Sequence, residues 1–155
     1  MLNWWTMGSG GLETRRAIQV GHFSRGIALS PDGETIALGG FSRISFVDYR
    51  SGAIRQRLFG HGHEINGLAF SPDGGTLASC SMDGTIKLWN LHTMQEVCTI
   101  TFDVKPAQGK EIGVQGVAFA PDGNSLWAFS RSGVLKYWRA ATSDEIVEAA
   151  KADKP

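Results

Sequence analysis

The sequence predicts an all-β fold of about three repeated antiparallel sheets, each nominally of four strands, followed by a short C-terminal helix. Three observations predict it. First, Ser30-Pro31-Asp32-Gly33, Ser71-Pro72-Asp73-Gly74 and Ala120-Pro121-Asp122-Gly123 repeat one turn signal, with prolines 41 and 49 residues apart. Second, each block follows a short apolar run: Gly26 to Leu29, Gly67 to Phe70 and Gly116 to Phe119. Third, two further short runs follow each block. Self-similarity at this period marks an array of small sheets that bury their faces on one another.

The elements follow in chain order. Leu12 to Val20 alternates as a strand, with Leu12, Thr14, Arg16, Ile18 and Val20 on one face. Before it, Leu2 to Trp5 and the glycines Gly8, Gly10 and Gly11 read as a preceding strand and its loop, so the chain is expected to begin inside a sheet unit. The first full unit spans 24–59, with strands over 26–29, 35–39 and 44–47. The middle unit, 60–102, is the most complete. Ile65 to Phe70 is apolar on both faces, as in a sheet covered on each side. Pro72 presets φ at the second position of a turn and Gly74 suits the fourth. Leu77 to Ser81 returns, Asp83-Gly84 closes a hairpin, Thr85 to Trp89 follows, and Glu96 to Thr101 is the outer strand. The third unit, 114–139, lacks an outer strand. In its place Thr142-Ser143-Asp144-Glu145 fits a capping box, predicting a helix over 142–151.

Composition excludes several classes. Fifteen basic and fifteen acidic residues are scattered along 155 positions, so no basic stripe points to nucleic acid. The pairs Arg15-Arg16 and Arg55 with Arg57 read as solvated strand faces. No run reaches the roughly 18–20 apolar residues of a membrane span, and the N-terminus lacks the pattern of a signal peptide, so a soluble cytoplasmic protein is expected. Two cysteines do not make a disulfide framework; Cys80 and Cys98 are expected to be buried strand thiols.

At the middle unit the residues resemble a known family. Gly60-His61, Ala69 to Gly74, Leu77-Ala78-Ser79, Asp83 to Ile86 and Leu88-Trp89-Asn90 look like a WD repeat, the blade of a β-propeller. The likeness covers roughly residues 20–140 and implies a partial propeller of three WD blades. It also implies a buried hydrogen-bonded tetrad of His61, Asp83 and Trp89, with Ser79 or Ser81 as its hydroxyl. The outer repeats depart from that pattern. Phe41 stands where Asp83 would be and Val47 where Trp89 would be, although Asp48 keeps the acidic half of the Trp-Asp pair. Gly21-His22 lies closer to its strand than Gly60-His61, so His22 is not expected to serve as a tetrad histidine. In the third repeat Lys110 and Ser132 replace the histidine and aspartate, while Trp138 remains. The outer blades are therefore expected to be the softer ones.

Three blades do not close a ring, since propellers need about 4–8. The strand at 12–20 is expected to complete a third blade, by self-association into six or nine blades or within a longer propeller. Trp138 to Thr142 resembles the C-terminal end of longer bacterial WD-repeat proteins.

No catalytic or metal chemistry is expected. His61-x-His63 has no third ligand at suitable spacing. Asp32, Asp73 and Asp122 recur at equivalent turn positions, which is turn chemistry rather than a unique acid–base pair. No phosphate-binding loop and no cofactor site is present in the pattern. The expectation is a non-catalytic scaffold for a protein partner. The resemblance implies that its contacts lie on loops at one end, carrying Arg25, Phe41, Arg43, His63, Glu64, Asn66, Met82, Gln115 and Arg131. The long loop from Asp103 to Gly113, with Lys105 and Lys110, is the most individual of these. The alternative is a regulatory or sensory segment of a larger bacterial signalling protein such as a serine/threonine kinase.

Overall fold

The computed structural model describes residues 25–103 and 113–141, together with the backbone of two strands, β1 (Leu2–Gly8) and β2 (Gly11–Ile18). The expected helix over 142–151, Lys105, Lys110 and His22 lie outside the described residues. All regular structure among the described residues is β.

β1 and β2 pair antiparallel as a hairpin from Leu2↔Ile18 to Gly8↔Gly11. The remaining strands are β3 (Gly26–Leu29), β4 (Thr35–Gly39), β5 (Phe41–Asp48), β6 (Ile54–Phe70), β7 (Thr76–Ser81), β8 (Thr85–Asn90), β9 (Gln95–Thr101), β10 (Val114–Phe119), β11 (Ser125–Ser130) and β12 (Leu135–Arg139). Within each sheet, strands that follow one another in sequence are hydrogen-bonded neighbours, all of them antiparallel.

The sequence suggests a break between units near Gly60, yet β6 runs unbroken for 17 residues. Its first part pairs with β5, and Ile65 to Phe70 pairs with β7. One strand is thus the outer strand of the first sheet and the inner strand of the second. The second sheet is completed by β8 and β9, and the third is β10-β11-β12. No fourth strand pairs with β12 among the described residues.

The turn blocks close as the sequence dictates. Gly33, Gly74 and Gly123 donate their N–H to the carbonyls of Ser30, Ser71 and Ala120, each at 2.9 Å, with φ between +72° and +74°. Glycine carries that left-handed conformation at no steric cost. The aspartates accept from the backbone two residues on, at Glu34, Gly75 and Asn124. Hydrogen bonds from Ser30 and Ser71 hold Asp32 and Asp73 below the usual carboxylate range.

Alternation then buries one face of each sheet against the next. Ala37, Ile44, Phe46 and Leu58 of the first sheet meet Ile65, Leu68, Leu77 and Trp89 of the second. Ala78, Cys80 and Ile86, with Phe102, meet Val114, Leu126 and Ala128 of the third, and Trp138 packs edge-on to Phe102 at 6.0 Å. Each fully buried large side chain in these layers contributes about 1.5–3 kcal/mol. Where the inner strands meet, the backbones nearly touch. A Cβ on Gly67 would lie 3.1 Å from Gly116 Cα and 3.2 Å from Val117 N, and one on Gly26 would lie 3.3 Å from Asn66 and Gly67 backbone atoms.

Cys98 corrects the expectation of two buried thiols. Cys80 is fully enclosed and burial pushes its thiol up to about 12, whereas Cys98 lies exposed on the outer strand β9. Among the described residues no strand pairs with β9 on its outer side; Val97 and Cys98 are exposed there, while Ile100 still packs against the core.

Candidate functional site

The second sheet holds a connected polar network at its core. His61 comes from β6, Ser79 from β7, Asp83 from the β7–β8 turn and Trp89 from β8. His61 Nδ1 lies 2.9 Å from Asp83 Oδ2, and Nε2 lies 2.8 Å from Ser79 Oγ. Trp89 Nε1 donates to the same Ser79 Oγ at 2.8 Å. An ionised carboxylate only accepts, so Nδ1 carries the proton and Nε2 accepts from Ser79. Burial lowers the His61 pKa, opposed by the hydrogen bond to Asp83, and the ring is neutral. Burial works against ionisation of Asp83, but Thr85 Oγ1 at 2.6 Å and the amides of Gly62 and Thr85 hold its pKa below the usual range. Every buried polar atom of the set has a partner, as a buried network requires.

The two serines are distinguished by register. Ser79 faces the imidazole and indole, while Ser81 Oγ accepts from the Asp83 amide at 3.1 Å. Thr85 belongs to the network although the sequence reading passed over it. Its signal was the position directly after Asp83-Gly84, where a hydroxyl reaches back to the carboxylate.

Ser79, His61 and Asp83 also have the connectivity of a nucleophile, base and orienting acid. Here Ser79 is fully enclosed, and its oxygen already accepts the indole N–H. No substrate carbonyl reaches it, so the geometry locks strands together instead of activating a nucleophile.

The outer repeats carry partial versions. In the third, Ser132 at the aspartate's position contacts Ser130 Oγ at 2.8 Å, and Ala128 stands in the place of Ser79. In the first, Asp48 faces the following turn: Oδ1 accepts from Ser51 N at 2.5 Å and Ser51 Oγ at 2.7 Å, and Arg55 pairs with Oδ2. The Ser51 bonds bring Asp48 down to about 2. Asn90 does the same in the second sheet, accepting from His92 and Thr93 amides.

The predicted contact residues gather at the end of the sheets beside Asp83, but not all stand on loops. Arg25 Nε pairs with Glu64 Oε2 at 3.2 Å, and the Phe41 and His63 rings lie 5.3 Å apart. Arg131 is exposed in the β11–β12 turn, and Arg43 is half-buried at the start of β5. Asn66 and Gln115 are corrections to the loop assignment. Each is the extra residue of a β-bulge, between Ile65 and Gly67 and between Val114 and Gly116. A bulge re-aims the extra side chain. Asn66 Nδ2 donates to Val114 O at 2.8 Å, and Gln115 Nε2 contacts Met82 Sδ at 3.4 Å. Both therefore join the second sheet to the third. A hollow of about 380 Å³, bordered by His63, Met82, Asp83, Phe102 and Asp103, opens at this end. Among the described residues no group of three His, Cys, Asp or Glu is placed to hold a metal ion.

The family model for the WD domain, G-beta repeat (WD40) matches residues 52–90. That stretch runs from the last strand of the first sheet through Asn90 and contains the whole His61–Ser79–Asp83–Trp89 network. No curated protein matches the chain.

Proposed function

We propose that this WD-repeat protein is a non-catalytic scaffold that docks a protein partner on the end of its sheets beside Asp83. The observation that carries this reading is the contrast between a locked interior and an exposed, mixed rim. The Ser79 network fastens His61 and Trp89 in the centre, while Phe41, exposed against His63, stands opposite Glu64 and its partner Arg25, and His63 and Met82 border the hollow. Rigid sheets presenting aromatic, Met and Arg groups suit protein recognition.

The test is site-specific photo-crosslinking in cells of origin. A benzoylphenylalanine replaces Phe41, His63 or Met82 in turn, with Asp122 at the opposite turns as control. The expected result is one shared adduct from the three rim positions and none from position 122. Adducts at position 122 alone, or equal at all four, would overturn the placement.

A second reading is favoured by the third sheet's having three strands, with no fourth paired to β12 among the described residues. A fourth strand added there makes this arc part of a larger propeller, by self-association or within a longer bacterial signalling protein such as a serine/threonine kinase.

A further inference from the structure

The chain contains one Asn-Gly step, Asn66-Gly67, and the fold sets it at the joint between the second and third sheets. Asn66 is the bulged residue of β6 and has no partner on β7. Its carboxamide bridges that joint. Nδ2 donates to Val114 O at 2.8 Å, and Oδ1 is enclosed with no donor beside it among the described residues.

An asparagine before glycine is open to loss of its own amide, because glycine has no side chain to shield the nitrogen that follows. Gly67 N attacks Asn66 Cγ, and the Cγ–Nδ2 bond breaks. The side-chain nitrogen takes the proton from Gly67 N and leaves as ammonia. Water then opens the cyclic imide at one of its two carbonyl carbons, giving aspartate, or isoaspartate with an added carbon in the main chain.

The closed fold withholds this reaction, because the Asn66–Gly67 peptide is held between two other inner strands. A Cβ on Gly26 of β3 would lie 3.3 Å from Asn66 C and O and from Gly67 N. On the other side, a Cβ on Gly67 would lie 3.1 Å from Gly116 Cα and 3.2 Å from Val117 N of β10. Gly67 N–H also faces the Cys80 sulfur. Ring closure needs that peptide to turn until its nitrogen reaches Cγ, and packing this close leaves no room for the turn. The strands must part first.

The product does not close again. A carboxylate has no proton to donate, so one oxygen would face the Val114 carbonyl and the other would stay enclosed without a donor. Isoaspartate would also lengthen β6 at its bulge. We propose that Asn66-Gly67 is a deamidation site gated by the fold: the closed joint protects it, and its hydrolysis after opening releases the third sheet from the second. Parting of the strands is reversible, and the modification makes it permanent.

The test has two arms on the full chain. In the first, wild-type protein is held at pH 8 with and without urea just below the unfolding midpoint, and conversion of amide to acid is followed by peptide mass. Deamidation at Asn66 is expected to be at least about 10-fold faster in urea, whereas exposed Asn124 changes by less than about threefold. In the second arm, hydrogen exchange of β10 is compared among wild type, Asn66→Ala and Asn66→Asp. Asn66→Asp is expected to lose at least about 30-fold in protection relative to wild type at pH 7.5. Its deficit is expected to shrink at least about threefold at pH 5, where the protonated acid donates to Val114 O as the amide did. Asn66→Ala loses the bridge without a charge, so its smaller deficit is expected to be the same at both pH values. Equal deamidation at Asn66 with and without urea would overturn the gating. An Asn66→Asp deficit that is absent, or that does not change with pH, would overturn the release.

Discussion

Ser79→Ala removes the atom through which His61 and Trp89 are joined. Ser79 is fully enclosed, and Trp89 and His61 are 3% and 4% exposed, so water does not replace the lost oxygen. Two buried groups, the indole N–H and imidazole Nε2, lose partners at 2.8 Å each. An orphaned buried donor or acceptor costs about 1–3 kcal/mol, and relief from burying the hydroxyl itself returns about 1–2 kcal/mol. The expected net loss is about 2–4 kcal/mol. Ser81→Ala is the internal comparison: it removes one acceptor for the Asp83 amide at 3.1 Å and is expected to cost about 1 kcal/mol. Ser79→Thr keeps the oxygen and is expected to fall between wild type and Ser79→Ala. Urea unfolding followed by tryptophan fluorescence reads the effect. At a slope of about 1–2 kcal/mol per molar, the Ser79→Ala midpoint drops by about 1–4 M. A midpoint within about 0.3 M of wild type, or a smaller loss than that of Ser81→Ala, would refute the view that this network locks the blade.

Three further outcomes follow from the geometry. Gly67→Ala drives a methyl against the Gly116 and Val117 backbone and is expected to cost about 1–3 kcal/mol, whereas Gly75→Ala meets only Asp73 atoms at 3.5 Å and beyond and leaves the melting temperature near wild type. Asp48 is held down to about 2, so its contribution is complete above the unfolded carboxylate range near about 4 and is lost as pH falls toward 2. Asp48→Asn is expected to flatten the urea midpoint over that window while changing it little at neutral pH, because Asn90 already serves the equivalent turn as an amide. Native His61 resists protonation while the unfolded ring takes a proton below about 6.5, so stability falls as pH drops through that value. In His61→Asn the slope of the midpoint between pH 7 and pH 5 is expected to decrease, and an unchanged slope would remove His61 as its source.

The repeated turns were legible because their chemistry is local. Proline fixes one φ, glycine supplies another, and aspartate caps the amide two residues on, so Pro72-Asp73-Gly74 reads the same in any surroundings. The middle blade's polar set was legible through its resemblance to a WD repeat, which implies His61, Asp83 and Trp89 together; the physical chemistry agrees, since each is costly to bury alone and the three can satisfy one another. Which serine completes them was not legible. Ser79 and Ser81 both point to the same face of β7, and only the pairing of β7 with β8 sets Ser79 against the indole.

Asn66 and Gln115 show the opposite limit. The resemblance put both on loops at one end, but a bulge in each inner strand makes both bridge two blades. Cys98 failed for want of a neighbour: an apolar strand is buried only if another layer covers it, and β9 is outermost. The sequence by itself determined the turns, the strand order within each repeat and three members of the central network, His61, Asp83 and Trp89, all of which rest on contacts within some forty residues. The tertiary structure alone decided how the blades meet, because that depends on how closely two backbones approach. At Gly67 they nearly touch. At Gly116 the ring of Phe129 lies against the glycine instead.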